Sequence, residues 1–467
     1  MDDTGKRSLR VAVLGAGLAG LRGADVLSEA GAEVVVVEKE DVTGGLARTV
    51  HRNGFRFDLG PHRFHTEKPA ILDFVRSMLP GEMLELERIS RIRLLDRYFR
   101  YPLSFGDVLA KMPPGRSMGM TFSYFAQRVK ALFGGEEASD FRSWVTGRFG
   151  KQLYDLYFGP YTEKLWGCPP QELSADWASQ RITVPRLTDM ARATLFPGRS
   201  SARSLVSRFH YPSGGIGRIQ EALVSRVRSR GGELILSTSP DSIRASDDGG
   251  YRISLGDREL SVDAILSSIP VNDYVELLGE ILPEEVRVSA GKLRFRAIVF
   301  VVIRLREEVG ADDHWIYTPE EKYDFNRISF PGNFDTSSRE ASRQLVFEFS
   351  CDRGDSVWSG DDDLVASSVR GGIGLGLFGE GDVMGSACVR YPHAYPVYSL
   401  DYRRNLIPVL DALDRLENSV TCGRQGLFRY NNMDHSLEMG EHAAMELLGR
   451  GSLSDGFRWT SDTWADG

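Results

Sequence analysis

At 467 residues the chain is long enough to bury a large core and to fold as more than one domain. Its composition, 26% charged and 42% hydrophobic, is ordinary for a globular enzyme, and a net charge of −8 with no basic stripe argues against a nucleic-acid partner. The N-terminal MDDTGKRSLR lacks the apolar segment of a signal peptide and the densest apolar run, residues 297–303, is far too short to cross a bilayer, so a cytoplasmic protein without an integral membrane segment is expected. Cys168, Cys351, Cys388 and Cys422 stand far apart with no CxxC pair, which reads as reduced structural cysteines and no metal site.

In chain order, the apolar run 11–14 ends on Gly15, Gly17 and Gly20, a helix-compatible segment follows, and a second apolar run occupies 34–37. This is a βαβ unit. Gly15 permits the tight turn, Gly17 admits a pyrophosphate and Gly20 lets helix pack on strand, with Leu18 and Ala19 opening the helix towards the phosphates. Glu38, followed by Lys39, stands at the spacing of an acid on a ribose hydroxyl. No arginine follows to receive a 2′-phosphate, which disfavours NADP. A lone GxGxxG also marks ordinary turns; the flanking strands and the acid make it a dinucleotide site. A second glycine turn, Thr43-Gly44-Gly45-Leu46-Ala47-Arg48, is superfluous in a nicotinamide dehydrogenase and expected in a flavoprotein, so the cofactor reads as FAD.

Beyond it, residues 55–59 alternate as a strand that breaks at Gly60-Pro61, followed at once by His62, Arg63 and His65. These are either satisfied structural groups or, because the turn falls beside the cofactor, functional ones. A helix is expected over 69–78 and strands over 84–101, where five arginines from Arg88 to Arg100 read as the wet face of a sheet rather than an anionic pocket. Residues 105–192 turn helical, with Phe122, Tyr124, Phe125, Val129, Leu132 and Phe133 at the spacing of a core stripe, and 161–167 breaking the run. The Arg/Ser-rich stretch 188–207 reads as a lid. A helix over 219–230 and strands over 233–236, 264–269, 294–306, 315–317, 327–330, 344–350 and 389–398 follow, then a segment at 420–428 and a helix over 437–448.

Four motifs coincide: the dinucleotide unit, GPHRFHT at 60–66, YTEKLWG at 161–167 and GRQGLFRYNNMD at 423–434. Together they resemble UDP-galactopyranose mutases within the flavin amine-oxidase and protoporphyrinogen-oxidase superfamily. The resemblance implies that Gly60, Pro61 and His62 lie against the flavin, that Trp166 packs on the sugar nucleotide, and that Gly423, Arg424, Asn432, Met433 and Asp434 close over the isoalloxazine and ribityl chain. It further implies that Arg181 and Arg296 grip a diphosphate and that Tyr395 contacts the phosphates; two guanidiniums suit a diphosphate because their contacts are bidentate and charge-assisted. The C-terminal motif reads Tyr430-Asn431-Asn432 where the mutases have Tyr-Leu-Asp, and Trp315, Trp358 and residues 200–207 lack a mutase counterpart.

The expected fold is α/β, α+β overall: a Rossmann-type FAD domain from 1–66, 205–270 and 400–467, a mostly helical substrate or lid domain over 67–204 with strands at 84–101, and an antiparallel-sheet substrate domain over 271–399. The expected activity is a pyranose–furanose mutase on a nucleotide sugar, with reduced flavin N5 as nucleophile and NAD(P)H as the candidate external reductant. The alternatives are a flavin-dependent amine or alcohol oxidase, dehydrogenase or desaturase, and a non-catalytic flavin-binding protein. A nucleoside-diphosphate sugar is the expected partner, with self-association left open.

Overall fold

The computed structural model describes residues 8–52, 54–103, 105–132, 138–182, 208–336 and 338–453. The architecture is mixed α/β. Its first layer is a parallel five-stranded sheet in the order Ser419–Thr421, Ala264–Ser267, Arg10–Leu14, Glu33–Val37, Glu233–Ile235. Helix Leu18–Glu29 packs against helices Arg218–Ser229 and Met433–Leu447, so the first βα unit is completed by segments far away in sequence. Arg10–Leu14 is continuously apolar after its first residue because a central parallel strand is covered on both faces.

The second layer is a seven-stranded sheet ordered Val383–Pro396, Phe295–Leu305, Gln344–Cys351, Arg327–Ser329, Trp315–Tyr317, Ser90–Leu94, Arg97–Arg100. Its pairs are antiparallel except Trp315–Tyr317 beside Ser90–Leu94. Phe295–Leu305 alternates between two cores: Ala297, Val299, Val301 and Ile303 enter one, Ile298, Phe300 and Val302 the other. That explains its unbroken apolar sequence.

Three local expectations are corrected. The strands placed at 84–101 pack on the helices, Ile92, Leu94 and Phe99 sharing a core with Val108, Met112, Met120 and Tyr157, but do not form a sheet of their own: Ser90–Leu94 and Arg97–Arg100 extend the large sheet, and Met83–Glu87 pairs with Arg208–Pro212, because strand edges are satisfied by non-local partners. Residues 161–167 do not break the helical run; Gly159–Trp166 is helical and ends on a left-handed Gly167. The aromatic stripe of helix Pro114–Leu132 is not core: Phe122 is 76% exposed, Phe125 50% and Val129 52%, whereas Tyr124 is buried. Periodicity fixes which residues share a face and leaves open whether anything covers it. The expected lid, 188–207, lies outside the described residues. Among the described residues no helix is long and apolar enough to cross a membrane.

The hairpin Thr49–Arg52/Phe55–Asp58 is tied to strand Arg208–Pro212 by Asp58, whose carboxylate accepts from Tyr211 Oη at 2.6 Å and Thr49 Oγ1 at 2.7 Å. Burial nevertheless raises its pKa from 3.8 to about 6, outweighing those bonds. The folded state thus holds this proton more tightly than the unfolded chain, so the stability from Asp58 is full below about pH 4 and is lost as pH rises through 6. Asp58→Asn is expected to remove roughly 2–3 kcal/mol of that pH dependence, measured as denaturant midpoints across pH 4–7. An unchanged slope would refute the assignment.

Candidate active site

The two glycine turns are built against each other. Gly15 has φ +91°, and a Cβ on Gly20 would sit 2.0 Å from Gly15 O, so strand and helix meet as closely as backbone allows. Around Gly17 the space a Cβ would take is open. Gly44 N donates to Ala16 O at 2.7 Å, which stitches the second turn to the first. Glu38 is buried and accepts from the backbone N–H of Ala16 at 2.7 Å and of Glu40 at 3.0 Å, fixing its carboxylate at the turn. Arg48 is 6% exposed, and its Nε and Nη1 have no hydrogen-bond partner; the nearest carboxylate, Glu40, is 3.9 Å from Nη2. A buried guanidinium without an anion is costly. Beside two glycine turns it fits the pyrophosphate of a flavin dinucleotide, which Gly17, Gly45 and Arg48 would hold while Glu38 takes the ribose.

At these turns opens a cavity of about 310 Å³ lined by Gly17, Leu18, Ala19, Gly45 and Leu46, by Pro61, His62, Gly423, Arg424, Asn432 and Met433, and by Arg63, Trp315, Arg327, Glu348 and a group of tyrosines. Burial, then the charges of Arg424 and Arg327, lower the His62 pKa to about 3, so its imidazole is neutral at physiological pH. Arg424 donates to Ala394 O at 3.3 Å, binds the Asn431 backbone carbonyl and lies 4.5 Å from the Tyr430 ring centroid. Tyr395 stacks on Tyr430 at 5.5 Å. Arg327 and Glu348 are cross-strand partners joined by two bonds, Nε to Oε1 at 2.6 Å and Nη2 to Oε2 at 2.8 Å.

Of the residues singled out in the sequence, Gly17, Leu18, Ala19, Gly45, Leu46, Pro61, His62, Tyr395, Gly423, Arg424, Asn432 and Met433 line this cavity. Others do not. Arg296 is buried beneath the turn at Gly167, with its Nη1 2.7 Å from Asp352 and its Nε 3.4 Å from Leu165 O. Trp166 is 1% exposed and packs edge-on against Trp177 and Tyr395; Trp177 takes the lining position. Lys39 is exposed, Asp434 is buried in the first turn of its helix, and Gly60 lies one step behind the wall. Arg181 ends helix Ala175–Arg181, and its side chain is outside the described part.

Arg63 and His65, left open in the sequence as functional or structural, line the cavity, whereas the sequence did not point to the Arg327–Glu348 pair or to Tyr101, Tyr157, Tyr161 and Tyr317 as lining residues. One signal was available for Glu348: it is the only charge in the otherwise buried run Gln344–Cys351.

The sequence pattern of the family described as flavin containing amine oxidoreductase matches residues 18–365. The coproporphyrinogen III oxidase of Propionibacterium freudenreichii subsp. freudenreichii is 26% identical over 327 residues, 60% of this chain and 60% of that protein. The UDP-galactopyranose mutase of Mycoplasma pneumoniae is 28% identical over 173 residues, 34% of this chain and 41% of the mutase. The chain therefore spans less than two thirds of these relatives. Among solved structures, reduced UDP-galactopyranose mutase superposes with a TM-score of 0.83 at 23% identity, covering 95% of this chain and 96% of the other, which is a shared fold.

Proposed function

The chain belongs to the flavin containing amine oxidoreductase family, and from that premise we propose that it binds FAD and, with the flavin reduced by NAD(P)H, interconverts the pyranose and furanose forms of a nucleoside-diphosphate sugar. The observation that carries this reading is the cavity lining, which sets Tyr101, Tyr157, Tyr161 and Tyr317 beside Arg63 and the Arg327–Glu348 pair, polar groups for which a hydrocarbon substrate has no use. Phenol rings offer faces to a sugar or base and hydroxyls to its oxygens. Reduced flavin supplies a nucleophilic N5 for the anomeric carbon, so the protein's tasks are to orient the sugar, exclude water and hold the leaving diphosphate. Glu348 stays engaged with Arg327 and His62 stays neutral; neither serves as the general acid.

The test is anaerobic. Purified holoprotein is reduced with dithionite and mixed with UDP-, GDP- and dTDP-sugars, and products are resolved by chromatography. Isomerised sugar nucleotide is expected only with reduced flavin and without net consumption of reductant. A second reading, a flavin oxidase or dehydrogenase, is favoured by the coproporphyrinogen oxidase relative. It requires that substrate bleach the oxidised flavin and that peroxide form in air. Bleaching without isomerisation would overturn the mutase reading.

A further inference from the structure

The part of the cavity lined by Arg63 and Trp315 holds donors that the described residues leave without an acceptor. Arg63 lines it with its guanidinium carbon 5.1 Å from the Trp315 ring centroid, and no carboxylate among the described residues pairs with it. The neighbouring acids are occupied: Glu348 by Arg327 through two bonds, and Asp313 by Arg91, whose Nε is 2.7 Å away. Arg88, which stands outside the cavity lining, comes close enough for its charge to act on Arg63; its Nη2 donates to the Tyr101 carbonyl at 3.4 Å, and its Nη1 is buried without an acceptor among the described residues. Trp315 is 1% exposed, and its indole N–H is likewise buried without an acceptor. Burial first, and the Arg88 charge second, hold the Arg63 pKa down at about 10, the expected cost of two neighbouring cations.

A guanidinium keeps its charge there, so an anion brought by a ligand is favoured beside Arg63. Two neighbouring guanidiniums and an indole N–H without an acceptor match an oxyanion with several acceptor lone pairs. We propose that Arg63, Arg88 and the Trp315 N–H form an oxyanion subsite that takes an anionic substituent of the substrate, a carboxylate or a phosphoryl group. This rests on the reading of the cavity as the substrate site and adds a charge requirement to it. The two sources differ in where the charge sits: on the sugar, as in a uronic acid, or in the diphosphate common to every nucleotide sugar.

The test compares flavin-loaded wild type with Arg63→Gln by calorimetric titration with UDP-glucuronate, UDP-glucose, UDP and free sodium glucuronate, flavin content serving as the folding control. A tenfold or larger loss confined to the two glucuronates assigns a sugar carboxylate. An equal tenfold loss for UDP-glucose and UDP assigns a phosphoryl group. If wild type binds free glucuronate but no nucleotide, and Arg63→Gln abolishes that binding, the subsite stands and the nucleotide-sugar reading falls. Affinities unchanged within twofold for every probe, or no binding of any probe by wild type, would overturn the proposal. Should Arg63→Gln lose its flavin, Arg88→Gln carries the same comparison, and Arg63→Lys is expected to restore part of the affinity by returning the charge without the fork.

Discussion

Gly20→Ala is expected to yield protein that purifies without flavin and unfolds at least about 2 kcal/mol more easily than wild type. In a helix interior this substitution is ordinarily stabilising by up to about 1 kcal/mol, because glycine has the greater conformational freedom to lose. Here the new methyl would stand 2.0 Å from the carbonyl oxygen of Gly15, a fixed backbone atom, so strand Arg10–Leu14 and helix Leu18–Glu29 must separate. The turn between them then loses the geometry that fits a pyrophosphate. Gly17→Ala separates the two effects. Nothing in the protein lies within 4 Å of a Cβ at that position, so stability of the flavin-free protein should stay within about 0.5 kcal/mol of wild type while flavin retention falls. The measurements are the flavin-to-protein absorbance ratio and denaturant unfolding of flavin-free protein. Full flavin content in Gly20→Ala would refute the close-packing argument, and full content in Gly17→Ala would place the pyrophosphate elsewhere.

Glu348→Gln is expected to cost about 3–5 kcal/mol of stability, the range for stripping one partner from a buried ion pair. The Glu348 side chain is 1% exposed and the Arg327 side chain 20%, and each carboxylate oxygen accepts a separate guanidinium N–H. The amide can accept one of those bonds, not two, and it leaves Arg327 charged in a cavity wall with Arg63 and His62 close by. Burial raises the Glu348 pKa while Arg327 pulls it down, and the bidentate geometry is what keeps the carboxylate an acceptor. The double variant Arg327→Met/Glu348→Met should recover most of the loss, since removing both charges removes the uncompensated one. Denaturant midpoints of the singles and the double check this. A double variant as unstable as the sum of the singles would mean that the pair contributes independent contacts rather than mutual charge compensation.

The paired glycine turns proposed to hold the flavin dinucleotide are readable from residue order alone. Gly15, Gly17, Gly20, Glu38 and the Gly44-Gly45 turn are legible because a dinucleotide phosphate is held by contiguous backbone, whose requirements appear as residue types at fixed short spacings. Apolar runs such as 11–14 and 297–303 were legible for a related reason, since burial on both faces erases alternation. Which arginines face the cavity depends on how distant strands pair. Arg296 and Arg327 both lie on strands of the large sheet, and strand residues alternate between faces, so a side chain's destination depends on register and on what packs there. Arg296 is covered by the turn at Gly167 and taken up by Asp352, whereas Arg327 stands directly across from Glu348 in the cavity wall. The same holds for Arg63, Arg88 and Trp315, which meet because Trp315–Tyr317 pairs in parallel with Ser90–Leu94 across more than two hundred residues of chain. The paired glycine turns are written into short segments, while the corner around Trp315 is assembled by long-range strand pairing, which leaves no short-range spacing to read.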